Sequence, residues 1–204
     1  MNHLLFLECS PVGSESLGAQ QVLAALADCE SFSHGIHVTT RSLAMEPLAA
    51  LSAQYAQAVT SSAPSDDPVL ARSERLIGEL EACDGLLIST PMHNFAVPAT
   101  LKLWIDHVLR KERSFTITPE GKAGLLRDRP ALVLVRSGNP CVGETARQPD
   151  FLTPYLRHAL SVMGIHNVQF VYLPGFPLSA EILAQTRHAL TAFLVPSRPT
   201  GDLP

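Results

Sequence analysis

Residues 89–98, with the sequence STPMHNFAVP, join two segments of different character. Residues 85–89, which lead into them, form a short apolar run that is typical of a parallel strand buried on both faces. Beyond them, apolar side chains at helical spacing predict an amphipathic helix over residues 99–110. Ligands of open α/β sheets bind past the carboxyl ends of the strands, where this connection lies. Met, His, Asn and Phe side chains in such a loop indicate a site for a flat ligand.

The same alternation of strand-like and helix-like segments runs along the chain of 204 residues. Apolar and β-branched runs predict four more strands, at residues 3–7, 36–43, 131–135 and 167–172. Helical spacing predicts further helices at residues 14–29, 69–83, 151–163 and 179–194. Parallel strands need crossover connections, so the pattern predicts an α/β fold with a doubly wound, five-stranded parallel sheet and helices on both faces.

The domain organisation follows from the same pattern. No stretch resembles a linker, so residues 1–195 are expected to form a single domain, with a frayed tail at residues 196–204. The pattern of residues 46–67 does not show whether they form a helix or a loop, because an alanine-rich part is followed by a cluster of Ser, Pro and Asp.

Composition excludes several partners. The formal net charge is −4 and Lys and Arg form no run, which argues against a nucleic-acid or anionic-membrane partner. The four cysteines are far apart, as expected for free thiols in a reducing compartment. Neither a signal peptide nor an apolar run of membrane-spanning length is evident. We therefore expect a cytoplasmic protein without a membrane partner.

The loop after the first strand, at residues 8–16, has the groups that hold a phosphate. Ser10, Ser14 and Ser16 supply hydroxyls, Gly13 permits a tight turn, and the helix that follows offers unpaired N–H groups. An ordinary helix N-cap explains the same serines, and for this loop taken alone it is the favoured interpretation. Neither a Walker motif nor a G-x-G-x-x-G motif is present to decide between the two.

The other two candidate loops also have structural alternatives. Met92 and Phe95 could be core residues beneath the next helix, with His93 and Asn94 as ordinary loop residues. In the loop after the fourth strand, Gly138 would let a ligand approach the backbone closely, although Gly-Asn-Pro is also good turn chemistry.

The residues as a set resemble a known family. PMHNF at residues 91–95, followed by LKLWID at residues 101–106, is similar to the flavin-contacting loop and helix of the FMN-dependent NADH:quinone oxidoreductases, also called azoreductases. His93 stands where that family commonly has tyrosine. The resemblance extends from the first strand to the last, and it includes the hairpin-like segment at residues 115–121.

This resemblance implies a flavodoxin-like fold, non-covalent FMN, and NADH or NADPH as electron donor. It also implies ping-pong, two-electron reduction of quinones or azo compounds. The implied cofactor-binding residues are Ser10, Ser14, Glu15 and Ser16 for the phosphate, Met92, His93, Asn94 and Phe95 for the ring system, and Arg136, Ser137, Gly138 and Asn139 in the third loop. No residue is implied as an obligatory acid or base, although His93 and Asn94 are the catalytic candidates.

The resemblance further implies a homodimer with the pocket at its two-fold interface. The helix face around Leu103, Trp104 and His107 and the loop at residues 64–68 could form that interface, whereas Trp104 could equally be a core residue. Two other functional classes remain open. One is an FMN-binding electron carrier or regulatory module without NAD(P)H turnover, and the other is a cofactor-free module that binds a protein partner.

Overall fold

The computed structural model describes residues 1–30 and 35–195. The strands are β1 (His3–Glu8), β2 (His37–Ser42), β3 (Gly85–Pro91), β4 (Phe115–Thr118), β5 (Gly121–Gly124), β6 (Ala131–Ser137) and β7 (Val168–Pro174). The α-helices are α1 (Leu17–Glu30), α2 (Ala53–Thr60), α3 (Ala71–Ala82), α4 (Ala99–Val108), α5 (Leu152–Met163) and α6 (Ala180–Leu194). The tail predicted at residues 196–204 lies outside the described residues.

Five of the strands form one parallel sheet in the order β2-β1-β3-β6-β7. Strands β4 and β5 form a separate antiparallel hairpin, as the segment around residues 115–121 suggested. The predicted fold class, a doubly wound five-stranded parallel sheet with helices on both faces, is confirmed. Because β1, β3 and β6 are neighbours in the middle of the sheet, the loops that follow them leave from the same place.

Each face of the sheet covers its own apolar cluster. Alternate side chains of a strand point to opposite faces, and both sets are apolar here because both faces are covered by helices. Leu5, Leu7 and Ile88 pack on the face that carries α3, α4 and α5. Leu4 and Phe6 point the other way, toward α1 and α6. This division fixes the side of the sheet on which every later residue of a strand lies.

Several element boundaries differ from the sequence prediction. Helix α1 begins at Leu17 rather than at residue 14, because Gly13–Glu15 form a single 3-10 turn. A second 3-10 turn, Pro68–Leu70, precedes α3, which therefore begins later than predicted. The undecided segment at residues 46–67 contains α2, whose Tyr55 is buried.

Helix α4 directs its aromatic side chains inward. Trp104 is fully buried in the cluster beneath α3, α4 and α5. His107 is also buried, and its ring packs edge-on against Tyr55 with 5.1 Å between the ring centroids. Of the two interpretations of Trp104, the structure supports the core residue. Trp104 and His107 therefore do not offer a surface for a second chain.

Candidate functional site

The three candidate loops meet at the carboxyl edge of the sheet. The N–H group of Cys9 donates to the carbonyl oxygen of Ser89 at 2.9 Å, which joins the ends of β1 and β3. The N–H group of Met92 donates to the carbonyl oxygen of Arg136 at 2.7 Å, which joins the ends of β3 and β6. These bonds continue the strand pairing into the loops. The residues that the sequence assigned to one site are therefore brought together by the sheet itself.

The first loop turns twice before α1 begins. The N–H group of Gly13 donates to the carbonyl oxygen of Ser10 at 3.0 Å, and that of Ser16 donates to Gly13 at 3.0 Å. Gly13 has φ +58°, a left-handed conformation that residues with a Cβ rarely adopt. Ser14 and Glu15 are exposed on the second turn, whereas Ser10 is buried.

Ser16 is the N-cap of α1. Its Oγ accepts a hydrogen bond from the N–H group of Ala19 at 3.2 Å, the arrangement expected of a capping serine. The N–H groups of Leu17 and Gly18, in the first helical turn, have no acceptor within the helix. The helix dipole gives this terminus a partial positive charge. The cap and the anion site are therefore not exclusive, because Ser16 satisfies one N–H group and leaves others for a phosphate.

Gly18 lets the start of α1 approach the sheet. A Cβ atom on this residue would lie 2.4 Å from Oγ of Ser89, so this hydroxyl would have to move to accommodate a larger residue. The helix terminus therefore sits directly over the end of β3, beside the second loop. An anion held at this terminus would lie next to residues 92–95.

The second loop is a tight, strained turn. His93 and Ala96 exchange two backbone hydrogen bonds of 3.0 Å. Between them, Asn94 has φ +48° and Phe95 has φ +72°. A positive φ is costly for an aromatic residue, and such strain concentrates at binding sites. His93, Asn94 and Phe95 are exposed. Met92 instead packs partly against the core beneath α4, as its structural alternative predicted.

The third loop has an open backbone at Gly138, and its Arg136 is a desolvated cation. A Cβ atom on Gly138 would meet nothing within 4 Å, and its φ is not positive, so the chain itself does not require glycine there. Asn139 is exposed beside it, whereas Ser137 is buried and donates its hydroxyl to the carbonyl oxygen of Asn139 at 2.8 Å.

Arg136 is turned toward the end of β7. Its Nη1 donates to the carbonyl oxygens of Ser137 and of Leu173, the latter at 2.9 Å. Burial lowers the pKa of this guanidinium below its ordinary value. Strand alternation places Arg136 on the same face as α1 and α6, because Val135 belongs to the opposite cluster.

The sequence did not indicate two residues that bind the loops to each other. Nε2 of Gln148 lies 3.4 Å from Sδ of Met92 and donates to the carbonyl oxygen of Asn139 at 3.2 Å. The N–H group of Phe151 donates to the carbonyl oxygen of Phe95 at 3.0 Å. The contacts of Gln148 with Met92 and of Phe151 with Phe95 join residues far apart in the chain, so no local pattern could have revealed them.

Other places in the structure offer less chemistry. A cavity of about 540 Å³ opens at the opposite edge of the sheet, lined among others by Asn2, Asp84 and Asn167. It lies at the amino ends of the strands, away from the three loops. Among residues 1–30 and 35–195, no cluster of three His, Cys, Asp or Glu side chains could hold a metal ion. The same part of the chain has no helix that is long and apolar enough to cross a membrane.

Known proteins carry the same architecture. The family model described as "Flavodoxin-like fold" matches residues 2–194. The FMN-dependent NADH:quinone oxidoreductase 5 of Burkholderia lata is 57% identical over 175 residues, which cover 86% of each chain. The chain belongs to the FMN-dependent NADH:quinone oxidoreductase family, within the flavodoxin-like fold. Another member, from Pseudomonas fluorescens, is 50% identical over 91% of this chain and 90% of its own.

Solved structures agree with the fold of this oxidoreductase family. An azoreductase from Bacillus anthracis superposes with a TM-score of 0.79 at 20% identity, over 95% of this chain and all of the other. An FMN-dependent NADH-azoreductase from the same species, solved in complex with FMN, gives 0.77 at 20% identity, over 94% of this chain and 96% of its own. At this identity the likeness establishes the fold, and the roles of individual residues must be argued from their own geometry.

Proposed function

We propose that this protein is an FMN-dependent NAD(P)H oxidoreductase that reduces quinones, and azo compounds as a second class of acceptor. The two relatives described above, which are 57% and 50% identical to this chain, are both named as FMN-dependent NADH:quinone oxidoreductases. The observation that carries the proposal is the meeting of three loops at the carboxyl ends of β1, β3 and β6. One loop suits an anion, and the other two suit a flat ring system.

The phosphate of FMN would bind at the start of α1. The exposed hydroxyl of Ser14, the N–H groups of Leu17 and Gly18, and the helix dipole provide hydrogen bonds and positive potential without any Lys or Arg. Ser10 and Ser16 shape the loop from within, because one is buried and the other caps the helix. Glu15 is exposed, so its carboxylate can stay in solvent rather than face the phosphate.

The ring system of FMN would lie between the second and third loops. Phe95 has 46% of its surface exposed, although it is held in a strained turn. Gly138 leaves open the space that a Cβ would fill, so a flat ligand can approach its backbone. FMN bound there would supply two-electron chemistry between a nicotinamide donor and the acceptor that replaces it.

The side chains around the ring orient the reactants rather than react themselves. Asn94 carries an amide at the tip of the turn, where it can donate to the polar edge of the ring. His93 is an exposed imidazole on the same turn and can give a proton to the reduced acceptor, as solvent water also can. No buried acid–base pair is needed for this chemistry, since the electrons move through the cofactor.

Anaerobic reduction tests the proposal and separates it from the electron-carrier alternative. The FMN-loaded protein is mixed with NADH and then with a soluble benzoquinone, while the flavin absorbance is followed. We expect NADH to bleach the absorbance and the quinone to restore it, with parallel double-reciprocal plots in the steady state. A flavin that only dithionite can reduce would support the electron carrier instead.

We also propose that the protein acts as a homodimer in the cytoplasm. Large apolar side chains are exposed in the loops that surround the site, namely Val12, Phe95, Val142, Phe151 and Phe176. Phe176 has 84% of its surface exposed. Apolar patches of this kind mark interaction surfaces, and two-fold dimers are the commonest homo-oligomers. A second copy would cover this patch and close the face of the ring that one chain leaves open.

Sedimentation of the FMN-bound protein at micromolar concentration tests the dimer. The variant Phe176→Asp should shift the protein toward monomer, because it places a charge in the covered patch. Leu23→Asp, at an exposed apolar position in the middle of α1, is the matched control and should leave the mass unchanged. A wild-type monomer that still oxidises NADH with a quinone would contradict the proposal.

A further inference from the structure

Glu8, the last residue of β1, is an acidic side chain in an apolar strand. Only 2% of its surface is exposed. Strand alternation turns it toward α1, because Leu7 and Cys9 belong to the cluster on the other face. No cation pairs with it within residues 1–30 and 35–195. Burial raises the pKa of Glu8, against hydrogen bonds from Ser10 and Ser42 that lower it. A buried carboxylate without a cation is costly unless it is hydrogen-bonded.

Both carboxylate oxygens of Glu8 are used to hold neighbouring segments. The N–H group of Ser10 donates to Oε1 at 2.6 Å, and the hydroxyl of Ser42 donates to Oε2 at 3.0 Å. Ser42 ends β2, so the carboxylate links the first strand, the second strand and the start of the first loop. The bond from Ser10 is short and buried, as expected of a bond that a charged acceptor strengthens, whereas the bond from Ser42 is longer and partly buried.

The first turn of the loop rests on this carboxylate. The carbonyl group of Ser10 accepts from Gly13, and a Cβ atom on Gly13 would lie 3.9 Å from both Oε2 of Glu8 and Oγ of Ser42. Gly13 then begins the second turn, which ends at the cap residue Ser16. The direction in which Ser14 and the start of α1 face therefore depends on Glu8, although Glu8 itself is covered.

A negative charge beneath an anion site needs a reason. The charge of Glu8 opposes a phosphate, and its bond to Ser10 removes one N–H group from the set that could bind one. A neutral or apolar residue would be the better choice for affinity alone. The benefit that remains is the fixed shape of residues 10–16.

We propose that Glu8 is a positioning residue for the phosphate of the cofactor. It holds residues 10–13 against β2, so that Ser14 and the first turn of α1 face the phosphate. This inference rests on the proposed function, since it takes the first loop to be the phosphate site.

Binding of FMN and of riboflavin to the apoprotein tests the role, because riboflavin lacks the phosphate. Glu8→Ala removes both tethers and should weaken FMN binding at least tenfold, with riboflavin affinity changed less than threefold. Glu8→Gln keeps an acceptor for Ser10 and the length of the side chain, and it should bind FMN at least as tightly as wild type. Equal FMN affinities for the alanine and glutamine variants would overturn the proposal.

A second variant tests the proposal if Glu8→Ala does not fold. If Glu8→Ala does not give a cooperative thermal transition, Ser42→Ala decides the question, because it removes one of the two tethers. We expect about a threefold loss of FMN affinity with riboflavin unchanged, and an unchanged FMN affinity would overturn the proposal. Wild-type protein that binds riboflavin as tightly as FMN would instead show that the first loop is not a phosphate site, and both proposals would fail.

Discussion

The N–H group of Phe151 donates to the carbonyl oxygen of Phe95 across 3.0 Å. Phe151 precedes α5, whereas Phe95 is at the tip of the turn before α4. The bond therefore joins the second loop to the connection that contains the third loop. It also acts on the more strained of the two left-handed residues in that turn. The second and third loops therefore form a single support for a bound ring, with Gln148 as a further link between them.

Removing the Gln148 link should weaken cofactor binding. Gln148→Ala loses the contacts with Met92 and with the carbonyl oxygen of Asn139. A neutral hydrogen bond contributes ~0.5–1.5 kcal/mol, so FMN affinity should fall roughly two- to tenfold. Gln185→Ala is the matched control, since the exposed side chain of Gln185 bonds only to Glu181 among the side chains and backbone of residues 1–30 and 35–195. Fluorescence titration of the apoproteins measures the FMN affinity of both variants. Equal losses of affinity would show that the link is not specific to the site.

Substitutions of Ser14 and of Ser16 should have different effects on FMN binding and on the stability of the protein. Ser14→Ala removes an exposed hydroxyl and should lower FMN affinity by about tenfold or more, because bonds to an anion are worth ~1.5–3 kcal/mol. Its free energy of unfolding in the absence of FMN should not change. Ser16→Ala removes the cap and should lower that free energy by ~1 kcal/mol. Chemical denaturation and titration on both variants provide the comparison, and a stability loss for Ser14→Ala would contradict the assignment.

Gly138 should be required by the ligand rather than by the fold. Gly138→Ala places a methyl group in open space at a compatible φ, so the apoprotein should be at least as stable as wild type, because alanine lowers the entropy of the unfolded chain. With a ring against the backbone, FMN affinity should fall by tenfold or more. Gly78→Ala also meets open space, but inside α3, and should stabilise the protein by ~0.5–1 kcal/mol without affecting FMN. Unchanged FMN binding by Gly138→Ala would place the ring elsewhere.

The protein should become less stable in acid, because the ion pairs between α3 and the segment after α4 are lost. Arg113 binds Glu74 at 2.8 Å and also pairs with Glu81. Burial pushes the pKa of Glu74 upward, but hydrogen bonds from Arg113 and Arg110 outweigh it and keep the pKa below 4.5. A hydrogen bond from Arg113 likewise lowers the pKa of Glu81. Because the folded pKa values are depressed, this stabilisation is present above pH 4.5 and disappears as the pH falls through them.

Arg113→Met tests that dependence. At pH 7 it should lower the free energy of unfolding by about 1 kcal/mol, since the pairs are partly exposed. The difference from wild type should shrink as the carboxylates become protonated. Arg187→Met, at an exposed position of α6, is the control and should differ little from wild type at any pH. A deficit for Arg113→Met that is the same at pH 7 and at pH 3 would rule out the ion pairs as its cause.

The sequence predicted the parts of the fold that depend on local pattern. Strands such as β3 and β6 were found because both of their faces are apolar, which leaves a continuous run. The start of α1 was misplaced because Ser14 and Ser16 are both good first residues, and only the bond from Ala19 shows which one caps the helix. Helix α2 could not be decided, because its place depends on the packing of Tyr55 against Leu70.

The site divides in the same way. The three loops could be located, because glycine, serine and aromatic residues follow predicted strands. Glu8 and Gln148 could not be assigned from the sequence. The partners of Glu8 include Ser42 on another strand, and Gln148 reaches Met92 across a long separation along the chain. Sequence position thus indicates which residues can bind, whereas only the fold shows which residues hold them in place.

The middle position of β1, β3 and β6 also bears on how the protein matures. The chain leaves the ribosome from its amino end, so the first loop is available long before β6 and the third loop have been made. Pairing β1 with β3 joins residues as far apart in the chain as Leu4 and Gly85, and such long-range contacts form slowly. The ring of the cofactor can therefore be fully enclosed only after nearly three quarters of the chain have been synthesised and the centre of the sheet has formed. A nascent chain stalled before residue 131 should capture little flavin, which makes flavin fluorescence a measure of completed assembly.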